Sequence, residues 1–214
     1  MKVAVISDIH GNLPALRAVI ADFTGRVGHV ICLGDVVNYG PWSDECLEVL
    51  GLIKGIDCVR GNHEALFLGI EPLEHEIPLV QRFYHAAFAS FTRHDLIENW
   101  PVEAGIGQWT FTHTIGGMKL YQDTPVTLQG HTFVGHTHHA FDVERGPFRL
   151  VNPGSVGQNR KRLDVACYAI FDSETEVVDL RQIPYDARPL LAEMRVRNYP
   201  VECMTYYEGK LVSA

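Results

Sequence analysis

The chain has 214 residues, 46% hydrophobic and 21% charged, with a formal net charge of −8. That length supports one substantial core, so a single domain over residues 1–214 is expected, and the acidic balance excludes a surface built to neutralise extended nucleic acid. No stretch reaches the roughly 18 apolar residues of a membrane span, and the start MKVAVISD runs into a strand without a signal-peptide pattern, so a cytoplasmic, non-membrane protein is expected.

Residues 2–7 (KVAVIS), 29–33 (HVICL) and 56–59 (IDCV) are short and rich in Val, Ile and Cys, and read as buried strands. Between them lie two helical patterns. Asn12 caps the first, with Pro14 early and Leu16, Val19, Ile20 and Phe23 at helical spacing before Gly25. Ser43 caps the second, which carries Cys46, Leu47, Val49 and Leu50 and closes at Gly51. This βαβαβ order implies a parallel sheet with right-handed crossovers. The segments directly after the strands, SDIHGN, LGDVVNYG and RGNHEA, should therefore gather in one crevice.

From Pro78 to about Asp95 the apolar residues Val80, Phe83, Ala87, Phe88 and Phe91 predict one helix, with Arg93 and His94 in its last turn. Strand patterns return at 109–112, 132–135, 165–171 and 176–183, with a hairpin of 141–144 and 148–151 around Gly146-Pro147. They are expected to form a second sheet on the first. Residues 187–197 read as a closing helix, and the last dozen carry no clear pattern. The five cysteines, Cys32, Cys46, Cys58, Cys167 and Cys203, are scattered and odd in number, which fits reduced thiols.

Eight residues of ligand type stand at strand ends: Asp8, His10, Asp35, Asn62, His63, His113, His136 and His138. One such histidine alone is more often a hydrogen-bonded bystander than a ligand; the joint occurrence points to metal. In DIH two side chains stand two residues apart on extended chain, able to face one side, and GHTH at 135–138 repeats the arrangement with imidazoles. Imidazole, carboxylate and amide oxygen suit Mn, Fe, Zn, Co or Ni rather than calcium, and the lack of clustered thiolates excludes a structural zinc knuckle. Seven donors exceed one tetrahedral site and match two ions that share a bridging carboxylate.

The order SDIHGN, GDVVNYG, RGNHE, Thr112-His113, GHTHH and VNPGSVGQ resembles the calcineurin-like metallophosphoesterase superfamily, specifically its small bacterial and archaeal phosphodiesterase-type members, as far as about Ile170. The resemblance implies an α/β fold, a four-layer α-β-β-α sandwich of two mixed sheets. It implies one ion on Asp8, His10, Asp35 and His138 and another on Asp35, Asn62, His113 and His136, with Asp35 bridging. His63 matches the position that gives a proton to the leaving oxygen or stabilises the transition state. The implied activity is a metal-dependent phosphodiesterase, manganese favoured, that hydrolyses a small phosphodiester through a metal-bridging hydroxide. A phosphomonoesterase or nucleotidase with the same centre, and a non-catalytic protein-binding scaffold, are the alternatives; the intact donor set speaks against the scaffold. The family also suggests a homo-oligomer, dimer or tetramer.

Tyr39 stands where related protein phosphatases and dinucleoside tetraphosphatases carry a phosphate-binding arginine, which favours a diester. Arg60, or the group Arg160, Lys161 and Arg162, could supply a cation instead, although that group reads first as a solvated loop. NPGSVG is either a plain Pro-Gly turn or a loop closing over the pocket. His29, His75, His85, His94 and His131 receive no metal role, and His139 adjoins the ligand pair.

Overall fold

Each early apolar run becomes a strand: β1 (Lys2–Ile6), β2 (His29–Cys32) and β3 (Ile56–Cys58) are parallel neighbours in a computed structural model that describes residues 1–211. Residues 212–214, part of the expected domain, lie outside the described residues. The crossovers carry α1 (Leu13–Phe23) and α2 (Ser43–Gly51). The α1 cap is the expected one, since the Asn12 side chain accepts from the Ala15 N–H at 3.2 Å. The α2 cap differs. Trp42 occupies that position, and Ser43 Oγ accepts from the Asn38 N–H at 3.2 Å, tying the loop after β2 to the helix.

A short α3 (Asn62–Phe67) follows β3. The single helix expected from Pro78 to about Asp95 is two, α4 (Pro78–Phe88) and α5 (His94–Ile97). The Asp44 carboxylate accepts from the N–H groups of Thr92 and Arg93 at 3.1 and 3.3 Å, so side-chain bonds replace helical ones between them.

The second sheet has β4 (Glu103–Ile106), β5 (Trp109–Thr112), β6 (His131–Phe133), β7 (Phe141–Arg145) and β8 (Phe148–Asn152) in the order β4-β5-β6-β8-β7. Here β5, β6 and β8 run parallel, and β7–β8 is the expected hairpin. The strand β4, with sequence EAGI, gave no signal beforehand. The remaining strands, β9 (Val165–Asp172) and β10 (Val178–Pro184), do not join this sheet as expected. They add antiparallel beside β1, so the first sheet reads β10-β9-β1-β2-β3 and is mixed. The nearly continuous burial of VACYAIFD suits a strand flanked on both edges and covered on both faces.

The two sheets pack face to face through Val3, Val5, Ile31 and Phe171 on one side and Trp109, Phe111 and Phe133 on the other. Helix α1 covers the outer face of the first sheet with Leu16 and Val19. Leu120 and Leu128, from irregular chain, pack with Phe141 and Leu150 on the second sheet. The layered α/β plan of two mixed five-stranded sheets with helices is as the resemblance implied. The expected closing helix is α6 (Arg188–Val196); a further one, α7 (Val201–Glu208), had no sequence pattern to announce it. Both pack with Phe83 of α4 and with Tyr39 through Leu190, Met194 and Tyr207. Among the described residues no helix is long and apolar enough to cross a membrane.

Candidate metal centre

The segments that follow β1, β2, β5, β6 and β8 are stitched together at one end of the sandwich: Asp8 N–H donates to the Gly34 carbonyl, Gly135 N–H to that of His113, and Gly157 N–H to that of Asp8, each at 3.0–3.1 Å. All eight residues singled out in the sequence converge there. Asp8, His10 and His138 bring donor atoms within 4.8 Å of one another; Asp35, His113 and His136 do the same, and His10, Asp35 and His63 link the two groups. Asn62 Oδ1 joins the second group, 3.0 Å from His113 Nε2 and 2.9 Å from His136 Nδ1. Asn62 and His136 are half-buried, and the other six are buried.

The route differs from that expected of extended chain. The strand β1 ends at Ile6, and Asp8 and His10 both take left-handed backbone, φ 55° and 50°, around a buried Ile9. In GHTH, His136 and His138 are also left-handed, φ 69° and 64°, and their imidazoles go to different groups. Asp35, Asn38 and Tyr39 share this conformation. It costs a non-glycine residue on the order of 1 kcal/mol, so the strain is concentrated at this centre. Aspartate, asparagine and histidine tolerate it best.

Proton positions follow from the backbone around each ring. The Nδ1 atoms of His10, His113 and His138 face the carbonyls of Val37, Leu33 and Gln158 at 3.3, 2.7 and 2.8 Å. A carbonyl only accepts, so each Nδ1 carries a proton, and in the neutral ring Nε2 is a lone pair. Those Nε2 atoms point inward: His10 Nε2 lies 3.2 Å from His138 Nε2, and His138 Nε2 lies 3.2 Å from Asp8 Oδ1. Asp8 Oδ1 is buried with no hydrogen-bond partner among the described residues. Lone pairs of two imidazoles and a carboxylate thus face one another, an arrangement that suits a shared cation, with outward N–H bonds fixing the ligand tautomer. The donor set fits divalent metal.

His63 is built the opposite way. Tyr39 N–H donates to Asn38 Oδ1 at 2.7 Å, which turns Asn38 Nδ2 toward His63 Nδ1 at 2.9 Å. The His63 ring therefore accepts at Nδ1 and carries its proton on Nε2, 3.9 Å from Asp35 Oδ2. Burial lowers its pKa, which keeps this imidazole neutral.

The centre asks for positive charge. Burial works against ionised Asp8 and Asp35, yet His138 beside the first and His113 beside the second hold both carboxyls below the usual carboxylate range. Burial likewise opposes the His113 proton, but Asp35 at 3.1 Å outweighs it and pushes the pKa up to about 10.

Several supporting residues had no assignment from sequence. Glu64, in RGNHE, is fully buried; its Oε1 accepts from the N–H groups of Val36 and Val37 at 2.7 and 3.2 Å, and Oε2 from those of Asp35 and Gly61 at 2.7 and 2.9 Å. Burial and the Asp35 charge push its pKa up to about 7, against those four donors. Because both oxygens are fully used as acceptors, the arrangement requires the ionised form. The Asn152 amide donates to the Gly135 carbonyl, and Ser155 Oγ to that of Asp8, at 2.8 and 2.7 Å. NPGSVG is thus a brace behind this cluster. Glycine is required at two close approaches: a Cβ at Gly61 would lie 2.1 Å from Asp35 Oδ1, and one at Gly135 would lie 2.2 Å from Ser7 Oγ. His139 stays outside, exposed, with Nδ1 on the Thr137 carbonyl.

A cavity of about 240 Å³ opens onto Asp35, Asn62, His63 and His136, and Tyr39 lines it with its ring centroid 4.7 Å from His10 and 5.2 Å from His63.

A profile of the calcineurin-like phosphoesterase superfamily domain matches residues 1–176. The chain is 30% identical to the uncharacterized protein MJ0912 of Methanocaldococcus jannaschii, over 87% of this chain and 88% of that one. It is 28% identical to phosphodiesterase YfcE of Escherichia coli over 81% and 89%. Among solved structures, a metallophosphoesterase from Sphaerobacter thermophilus superposes with a TM-score of 0.76 at 29% identity, covering 99% of both chains.

Proposed function

The chain belongs to the calcineurin-like phosphoesterase superfamily and is a phosphoesterase hydrolase, and from that premise we propose that residues 1–214 form one domain hydrolysing a small phosphodiester at a two-metal centre. Asp8, His10 and His138 would hold one ion and Asn62, His113 and His136 the other, with Asp35 available to both. The reading rests on the imidazole tautomers, since His10, His113 and His138 turn Nε2 inward from carbonyl-anchored Nδ1 while His63 accepts at Nδ1 and presents an Nε2 proton. Two divalent ions, manganese by preference, would neutralise phosphate charge there and lower the pKa of a water toward neutrality.

His63 donates its Nε2–H to the leaving oxygen. Because Asn38 occupies Nδ1 and burial keeps the ring neutral, His63 serves as a hydrogen-bond donor to developing charge, not as a full acid. Removing such a donor costs about 10²–10³ in kcat. Tyr39, only 7% exposed, fills the place of a guanidinium beside the centre, which favours the single charge of a diester over a monoester dianion. Five unpaired cysteines agree with a cytoplasmic setting.

The test is turnover by the Mn²⁺- or Ni²⁺-loaded protein. It should cleave bis-p-nitrophenyl phosphate faster than p-nitrophenyl phosphate, and Asp35→Ala or His136→Ala should abolish the reaction. Full activity in a chelated, metal-free sample would refute the mechanism, and a preference for the monoester would refute the substrate class.

A further inference from the structure

The cavity is lined by one guanidinium that, among the described residues, no carboxylate claims. Arg160 lines the same cavity as His63 and His136. Its Nη1 donates to Gln158 Oε1 at 3.1 Å and to the Tyr206 hydroxyl of α7 at 2.8 Å. Two residues on, Arg162 pairs with Asp164 at 2.7 Å, whereas among the described residues no carboxylate lies within 4.0 Å of Arg160. Both Arg160 contacts use Nη1, so among the described residues the Nε–Nη2 edge has no hydrogen-bond acceptor. That edge presents two parallel N–H groups, the geometry that grips two oxygens of a phosphate.

The side chain is also held in place. Gln158 is fully buried, and its carbonyl accepts from His138 Nδ1 at 2.8 Å, so one residue positions both the guanidinium and an imidazole of the centre. Asn159 Oδ1 accepts from the N–H groups of Lys161 and Arg162 at 2.9 and 3.2 Å, and Leu163 N–H donates to the Lys210 carbonyl at 3.1 Å, docking the loop against the turn after α7. Lys119, Glu76 and Asp35 also line the cavity, so Arg160 is one of two basic side chains there facing two carboxylates.

We propose that Arg160, oriented by Gln158 and Tyr206, binds the anionic phosphate oxygens of the substrate, and that α7 thereby forms part of the substrate-binding wall. The proposal rests on the phosphoesterase reading of the centre. It gives a binding role to a helix beyond residue 176, where the superfamily match stops.

The test compares wild type with Arg160→Ala, Arg160→Lys, Tyr206→Phe and the control Arg162→Ala, all Mn²⁺-loaded. Steady-state kinetics on bis-p-nitrophenyl phosphate are paired with calorimetric titration of inorganic phosphate, which reads Arg160 whether or not the enzyme turns over. Arg160→Ala should raise KM and the phosphate Kd by about 10- to 100-fold, the effect of a charge-assisted hydrogen bond, with kcat changed less. Arg160→Lys should recover part of the loss, because it restores charge without the fork. Tyr206→Phe should cost about 2- to 10-fold through the freed guanidinium, and Arg162→Ala should match wild type. Metal content and melting temperature should be unchanged throughout. A phosphate Kd for Arg160→Ala within about twofold of wild type overturns the proposal. Absence of wild-type turnover on any phosphoester, with phosphate binding still dependent on Arg160, overturns the phosphoesterase reading instead.

Discussion

Replacing Glu64 with glutamine tests whether the centre is held by one buried carboxylate. Each Glu64 oxygen accepts from two backbone N–H groups, at 2.7 and 3.2 Å for one and 2.7 and 2.9 Å for the other. A glutamine keeps one oxygen and points an amide N–H₂ at the second pair, so two charge-assisted bonds are lost and two buried donors are left facing donors. At about 1.5–3 kcal/mol per bond, the cost is roughly 3–6 kcal/mol, a large fraction of the ~5–15 kcal/mol that keeps a domain folded. For a chain of this size the melting temperature should fall by about 6–24 °C. The four residues whose N–H groups Glu64 supports include Asp35 itself, so metal content should fall with stability. Thermal unfolding followed by circular dichroism, with metal analysis of the same samples, measures both. A drop of less than about 2 °C with metal retained would show that the loop after β2 holds its shape without Glu64, and the account of the centre as a braced, strained scaffold would fail.

Gly135→Ala should destabilise the fold and abolish metal retention, because its Cβ would meet Ser7 Oγ at 2.2 Å and Asp8 Oδ2 at 3.1 Å; a variant with normal metal content would contradict the close approach. Chelation should lower the melting temperature, and saturation with Mn²⁺ at about 100 times Kd should restore about 2.7 kcal/mol, while scans identical with and without chelator would argue against tight sites. Burial, helped by the charge of Arg160, pushes the Lys210 ammonium down to about 7, and its Nζ has no hydrogen-bond partner among the described residues. Since the folded pKa lies below the unfolded value, the cost of the charge is fully present below pH about 7 and disappears as pH rises toward the unfolded value near 10.4. Lys210→Met should therefore raise the urea midpoint at pH 7 and flatten the rise in stability between pH 7 and 10; an unchanged pH profile would assign that slope elsewhere.

The apolar runs of β1, β2 and β3, the cap at Asn12 and the β7–β8 hairpin were legible because local burial period and turn chemistry specify them residue by residue. The eight polar residues at strand ends were legible for the same reason, since a strand that stops at a cluster of ligand-type side chains has few other uses for them. The sequence did not reveal how they arrive. Left-handed backbone at Asp8, His10, His136 and His138 is imposed by bonds from distant loops, and local propensity disfavours it. The partition of β9 and β10 into the first sheet, the break between α4 and α5 at Asp44, and the brace of Glu64 on three consecutive N–H groups were likewise decided by partners far along the chain. So was the fate of Arg160, which in sequence looked like a solvated loop residue and in space meets Tyr206 of a helix that carried no recognisable pattern. By itself the sequence determined which side chains end the strands. Tertiary structure decided which nitrogen of each imidazole carries the proton, because that choice belongs to carbonyls and amides contributed by other segments.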